Sequence, residues 1–427
     1  MGENLEKQKE ELRRQLSMGE FGNEVFSSSE KDKIDEKVDK EIVDEFINGF
    51  GSYKVTDFLA HVPSSILEKT EYSGYLYGIS RIETESFYVL NSGQEKYPII
   101  GFIANKNENI PDNLPFGIII IREEDNRFIC HTTKSDPVNI KPYDEQVNLF
   151  SRNSGLLETS WMFDKCSIII GCGSVGSYIA MALARSGVGR FILCDTDILE
   201  IHNICRHQCG IDDLGRYKVD AVRDKILNIN PKANVTVFRK MIQHIGLDTL
   251  APFLGSNSII IGTGDNRESS EFACDYLAIP TNTSFVATCC WTRAFAGEVI
   301  YWTLGKNLPC YHCALGDLED VERTERDPNY WGSRHLSDSL KFEPGIAVDI
   351  DFVSIIALKV ILDLINKDNT NYTPRVINYL RQYTWICNTN DINIGGMRAG
   401  MFSYPLQVTN NLNFRKKDGC KICGDKS

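Results

Sequence analysis

The sequence predicts a soluble α/β chain: a doubly wound, mainly parallel sheet over residues 150–427, preceded by a smaller α+β domain over 46–149 and a charged helical or partly ordered arm over 1–45. Three observations carry this reading. From about Ser151 onward, strand-like apolar runs alternate with amphipathic segments of helical length, the pattern of parallel strands joined by crossover helices. The first such stretch, CSIIIGCGSVGSYIAMALARSGVGRFILCDTD at 166–197, is a complete βαβ unit with a glycine-punctuated turn. Ahead of it lie only short strand-like runs separated by Gly, Asn, Asp and Pro turns.

The elements follow in order. The arm mixes Lys, Glu, Asp and Ser with a few Leu, Ile and Val at helical spacing, too polar for a packed core. The runs YSGYLYGIS, SFYVLN, PIIGFIA, GIIIIRE and RFICHT then read as strands of the α+β domain, in which His61 and His131 are too isolated to form a metal site. In the larger domain, strand SIIIG leads into a helix from about Ser174 to Ser186, then strand FILCD. The helix YKVDAVRDKILNINP follows, with Val219, Val222, Ile226 and Ile229 on one stripe. Next come strand NVTVF, a helical LDTLAPFL, strand SIIIGTGD, a helix containing Phe272, Tyr276 and Leu277, and strands SFVATCC and EVIYWTL. The helix DFVSIIALKVILDLI and the strand-like TWICN and YPLQVTN close the domain.

A net charge of -12 argues against general binding to nucleic acid or anionic membranes, since both depend on positive surface. The chain is charged from Glu3 onward, without an apolar segment of signal length or a run near the roughly 20 apolar residues of a membrane span, so a cytoplasmic protein is expected. Thiols stay reduced in that compartment, and the fourteen cysteines are not read as a disulfide framework. Cys194 and Cys274 sit in apolar runs as small hydrophobes. Cys310 and Cys313 in PCYHC, and Cys420 and Cys423 in GCKICG, form two CxxC pairs more than a hundred residues apart. Four thiolates so paired suit a closed tetrahedral zinc site of structural type, with His312 a bystander.

Gly171, Gly173 and Gly176 form a GxGxxG turn, which lets the backbone approach phosphate while the next helix directs its N-terminus at the negative charge. Asp195 ends the second, Rossmann-like strand, where a carboxylate accepts hydrogen bonds from ribose hydroxyls, and Asp197 follows. A nicotinamide dehydrogenase would explain this much. The segment EIHNICRHQCGIDDLGRYKVDAVRDKI then brings Asn203, Arg206 and Lys218 toward the phosphates. Hydride transfer has little need of such charge, whereas cleavage of a nucleoside triphosphate requires it. Asp265, with Asn266 beside it in GTGDNRES, ends another strand where a carboxylate would hold magnesium. The set argues for ATP, although Arg206 and Lys218 taken singly also suit solvated charges and Asp265 a helix cap.

With these residues in place, the sequence from roughly Phe150 to Gly424 resembles the ThiF/MoeB/HesA superfamily, which includes ubiquitin-activating enzymes. GCGSVGS matches its nucleotide turn, DTD its ribose aspartate, NICR its Asn-x-x-Arg, GRYKV its lysine, GDN its magnesium aspartate, and RKKDGCKICG with PCYHC its zinc half-sites. The resemblance implies adenylation of the C-terminal carboxylate of a small ubiquitin-like or sulfur-carrier protein by ATP and Mg2+. It gives Asp195 to the ribose, Asn203, Arg206 and Lys218 to the phosphates, and Asp265 to magnesium. It also implies a homodimer in which Arg152, in FSRNSGLL, reaches across to the γ-phosphate. The N-terminal domain would recruit the small protein or a conjugating enzyme.

The sequence departs from the family in two places. Many members hold a thioester-forming cysteine in the crossover segment, but ALGDLEDVERTERDPNYWGSRHLSDSLKFEPG contains none. Three outcomes stay open. The adenylate passes to an external nucleophile; or Ser333, Ser337 or Ser339 accepts it with His335 nearby; or Cys289 or Cys290, closing strand SFVATCC, faces the site instead of packing in the core. His207, in turn, separates Arg206 from the glutamine that usually follows it. Outside conjugation, activation of a peptide in natural-product assembly and a non-catalytic scaffold subunit are the competing readings, the latter opposed by the joint presence of Arg206, Lys218 and Asp265.

Overall fold

The structure is a computed structural model that describes residues 58–69, 72–90, 97–264, 267–316, 344–410 and 414–424. The chain divides into two compact units, Met1–Tyr143 and Asp144–Ser427. The short helix Glu145–Leu149 thus falls in the second unit, where Glu145 pairs with Lys232 at 3.2 Å.

In the first unit a sheet runs in the order β6-β5-β4-β2-β3-β1-β7. Its strands are β1 (Phe58–Pro63), β2 (Gly74–Arg81), β3 (Ser86–Val89), β4 (Ile99–Asn105), β5 (Ile118–Arg122), β6 (Phe128–Thr132) and β7 (Val138–Tyr143). Ala60, Val62, Leu76, Phe87, Ile103, Ile118 and Ile120 fill its core. Two of these strands have no counterpart in the sequence reading. β7 carries Pro142 and exposed polar residues, which an edge strand tolerates because one side of its ladder is unpaired, and β1 ends on Pro63.

The second unit is an eight-stranded sheet ordered β10-β9-β8-β11-β12-β13-β14-β15. It comprises β8 (Cys166–Ile170), β9 (Arg190–Cys194), β10 (Asn234–Phe238), β11 (Ser258–Gly262), β12 (Ser284–Cys290), β13 (Ala296–Trp302), β14 (Tyr383–Cys387) and β15 (Gln407–Asn410). The first five are parallel and the last three antiparallel. Every residue of β8 is buried, as a central parallel strand requires. Its alternation splits the core. Ile169 faces α1 (Ser174–Arg185), α2 (Lys218–Ile229) and α3 (Ala347–Ile365), while Ile168 and Ile170 face a layer containing Cys274, Leu277, Tyr311 and Leu315. Gly297 of β13 permits the close approach of α3, since a methyl there would stand 2.6 Å from a Val353 methyl.

The helix expected around Phe272 is broken into three: α-helical Arg267–Phe272, a π-turn over Ala273–Ala278, and Ile279–Thr281. Pro280 supplies no N–H for the i−4 carbonyl of Tyr276, and one residue on the Thr281 hydroxyl donates to Leu277 O at 2.6 Å. No described helix is long and apolar enough to cross a membrane.

From β8 the chain moves outward through β9 to β10, then returns to lay β11 on the opposite side of β8. That reversal opens a crevice at the carboxyl ends of β8 and β11.

Candidate active site

The glycine turn is shaped by contacts that a side chain would destroy. Gly171, at φ 90°, closes β8 so tightly against β11 that a methyl would stand 2.8 Å from Gly264 N. Gly176, in the first turn of α1, faces Gly171 O, and a methyl there would lie 2.0 Å from that oxygen and 2.6 Å from Thr263 Oγ1. The Thr263 hydroxyl bonds Gly171 O at 2.7 Å, tying β11 to the turn. Gly173 differs, with open space where a side chain would be; it lines the crevice together with Ser174 and Val175, at the end of α1 where backbone N–H groups lack helical partners.

The crevice is a cleft of about 400 Å³. Its walls bring together Gly171, Gly173, Asp195, Asp197, Asn203, Arg206 and Lys218, residues drawn from the ends of β8 and β9, the following loop and the start of α2. Asp195 is fixed by two backbone donors: Cys172 N–H to Oδ2 at 2.6 Å and Asp197 N–H to Oδ1 at 2.8 Å. Burial holds its carboxyl above the usual carboxylate range, with the neighbouring Asp197 charge acting in the same direction and the two N–H groups and Lys218 opposing. The Lys218 ammonium, only 11% exposed, pairs with Asp197 Oδ2 at 2.8 Å, and its backbone N–H donates to Asp197 O. Asn203 Oδ1 accepts from Glu200 N at 2.9 Å and so closes the turn that carries it. Arg206 extends toward Gly345, where a methyl would be 3.6 Å from its Nη1.

His207, the departure from the family pattern, locks this loop to the glycine turn. Its Nδ1 accepts from Cys209 N at 3.0 Å, which makes Nε2 the protonated nitrogen that donates to Cys172 O at 2.7 Å. Burial, reinforced by the Lys218 charge, lowers its pKa and keeps the ring neutral, although the bond to Cys172 O opposes the shift.

The remaining expected residues divide three ways. Cys289 and Cys290 line the cleft beside Trp291 and Ala294. Arg152 lies exposed in the turn Ser151–Asn153 and is not part of the cleft lining. Asp265, Asn266, Ser333, His335, Ser337 and Ser339 lie outside the described residues.

The two CxxC pairs converge. Sγ atoms of Cys310, Cys313, Cys420 and Cys423 all lie within 4.8 Å of one another, with 3.7 Å between Cys310 and Cys420 and 3.6 Å between Cys313 and Cys423. A tetrahedral zinc with bonds of about 2.3 Å sets its sulfurs about 3.8 Å apart, so the group fits that ion. Backbone N–H groups of Cys313 and Lys417 point at Cys310 Sγ and Cys313 Sγ, each at 3.4 Å, as suits thiolate acceptors. Buried Asp275 accepts from Tyr311 N at 2.8 Å and His312 N at 3.0 Å and holds the first knuckle in place. Nothing in the sequence around Asp275 signals that role. His312 turns to Glu271 at 3.0 Å, away from the sulfurs.

A model described as the ThiF family matches residues 143–386. Molybdopterin-synthase adenylyltransferase of Salmonella typhimurium is 25% identical over 150 residues, 34% of this chain and 57% of that protein. Ubiquitin-like modifier-activating enzyme 5 of Caenorhabditis elegans is 26% identical over 189 residues, 42% of this chain and 44% of that protein. The chain thus spans about half the length of these relatives. Among solved structures, that of Escherichia coli MccB with ATP superposes at a TM-score of 0.46 and 19% identity, covering 65% of this chain and 74% of that one.

Proposed function

Because the chain belongs to the ThiF family, whose model spans more than half of it, we propose that it adenylates the C-terminal carboxylate of a small ubiquitin-like protein with ATP and passes the acyl group to a conjugating partner. The observation that carries this reading is the single cleft in which Asp195, Asn203, Arg206 and Lys218 meet the first turn of α1. In this reading Asp195 takes the ribose hydroxyls, and the α1 N-terminus, Asn203, Arg206 and Lys218 take the phosphates. The substrate carboxylate forms a new bond to the α-phosphorus as the bond to pyrophosphate breaks. The two cations stabilise the charge that builds on the phosphoryl oxygens, where each preorganised donor contributes about 3–4 kcal/mol to the transition state. Asp265 serves magnesium and the four cysteines a structural zinc. Two copies pair, and exposed Arg152 serves the nucleotide of the other copy.

Activation of a sulfur-carrier protein is the second reading, favoured by relatives named molybdopterin-synthase adenylyltransferase and sulfur carrier protein ThiS adenylyltransferase. ATP/pyrophosphate exchange tests both. Purified protein is assayed with and without the small-protein fraction of its source cells, alongside Lys218→Ala. Exchange that requires both the fraction and Lys218 is expected, and ATP binding without exchange under any fraction would sink the reading.

A further inference from the structure

The nucleotide half of the cleft is polar, but its far wall at the end of β12 carries two thiols. Cys289 and Cys290 are consecutive in a strand, so their side chains leave opposite faces of the sheet. Cys290 follows Val286 toward α3 and packs against the core there. Cys289 follows Phe285 and Ala287 onto the other face and borders two spaces, the cleft and a small cavity of about 10 Å³. Gly264 borders both spaces too, and Arg267, Thr288 and Glu298 line the small one. In the antiparallel register Cys289 stands opposite Glu298, a pairing that brings Cβ atoms to about 4.5–5.5 Å. The Glu298 carboxylate is buried and oriented by Trp291 Nε1 at 2.9 Å and the Tyr383 hydroxyl at 2.6 Å.

Other described thiols are placed differently. Cys172, within the glycine turn, is fully buried, and burial raises its pKa well above the ordinary thiol value. Cys209 is buried and pushed up to about 12, chiefly by burial. Cys205 is exposed, bonds His202 O at 3.4 Å and does not line the cleft.

Resting on the adenylation reading above, we propose that Cys289 is the acyl acceptor of this enzyme. Its sulfur attacks the carbonyl carbon of the acyl adenylate, a C–S bond forms, and the C–O bond to phosphate breaks so that AMP leaves with the electron pair. The thiol proton passes to Glu298, which stands on the same face of the sheet. The thioester is then open at the cleft to an amine or thiol of a second protein.

The test uses full-chain protein and 5′-vinylsulfonylamino-5′-deoxyadenosine, an adenosine that carries an electrophilic vinyl group near the position of the activated acyl carbon. A thiolate adds to the terminal vinyl carbon, and the neighbouring carbon takes up a proton. The expected result is an adduct mapped by mass spectrometry to Cys289, suppressed by ATP, absent in Cys289→Ala, and formed about 10-fold or more slowly in Glu298→Gln. ATP binding is measured separately by equilibrium dialysis. ATP bound with no adduct, or with the adduct on Cys290 or another thiol, overturns the assignment and leaves the adenylation reading standing. No ATP binding overturns both.

Discussion

Gly173 and Gly176 belong to one motif, yet replacing each by alanine should break different things. At Gly176 the added methyl meets a backbone carbonyl at 2.0 Å and Thr263 Oγ1 at 2.6 Å. Neither is the free end of a flexible chain, because that hydroxyl already bonds Gly171 O. Relief requires α1 to move off the sheet or the Thr263 bond to break. Overpacking of about 1–3 kcal/mol plus about 1 kcal/mol for the hydrogen bond gives a loss of roughly 2–4 kcal/mol. At Gly173 the methyl meets nothing within 4 Å and φ is -73°, so Gly173→Ala should cost less than about 1 kcal/mol, the scale of an N-cap preference. That methyl adds to the cleft wall where, in the proposed reading, phosphate approaches the backbone. Urea denaturation and ATP titration of both variants separate the effects. Gly176→Ala should be strongly destabilised, whereas Gly173→Ala should keep near-normal stability and lose ATP affinity by about tenfold or more, equivalent to 1.4 kcal/mol. Equal destabilisation of the two, or unchanged ATP affinity in Gly173→Ala, would refute the division of roles.

Three further outcomes are expected. Zinc should be present at about one equivalent per chain, and Asp275→Asn should release it to a colorimetric chelator 10–100-fold more readily (about that range for lost support of a metal ligand), because the carboxylate no longer accepts both knuckle N–H groups. The folded pKa of His207 lies below its unfolded value of about 6.5, so the unfolded chain takes up the proton first. The stabilising contribution is therefore present above that pH and lost as pH falls through the window down to the folded pKa; denaturation midpoints across pH should show the loss, blunted in His207→Gln. Asp195 titrates above the ordinary carboxylate range, and in the proposed adenylation it must be ionised to accept ribose hydroxyls while already holding two N–H groups. ATP affinity should weaken on acidification before ordinary carboxylates protonate, and Asp195→Asn should bind ATP more weakly with that acid limb removed, as followed by equilibrium dialysis.

Much of the larger unit was legible in the chain. The alternation of apolar runs with 3.6-period stripes placed β8 to β15 and the helices α1, α2 and α3, because each signal is local and repeats over a whole element. The edge strand β7 was harder. β7 pairs along one side only, so its sequence is free to carry Pro142 and Lys141, and no alternation survives to mark it. The π-turn at Ala273–Ala278 interrupts a segment whose apolar spacing reads as one ordinary helix, and a single inserted residue leaves little trace in that spacing.

By itself, the sequence determined the glycine turn, the carboxylate of Asp195 after β9, the cations Arg206 and Lys218 and the two CxxC pairs, since each belongs to a short motif whose chemistry depends on close spacing. Only the tertiary structure decided what these motifs meet. It placed the end of β12 so that Cys289 and Cys290 border the same cleft as Asp195 and Lys218, set Glu298 of β13 opposite Cys289, and brought Asp275 beneath a cysteine knuckle 36 residues away. The physical reason is that sheet order and strand register are settled by burial of whole elements. A residue's partner across the sheet therefore depends on how every strand packs, and no local window of sequence contains that information.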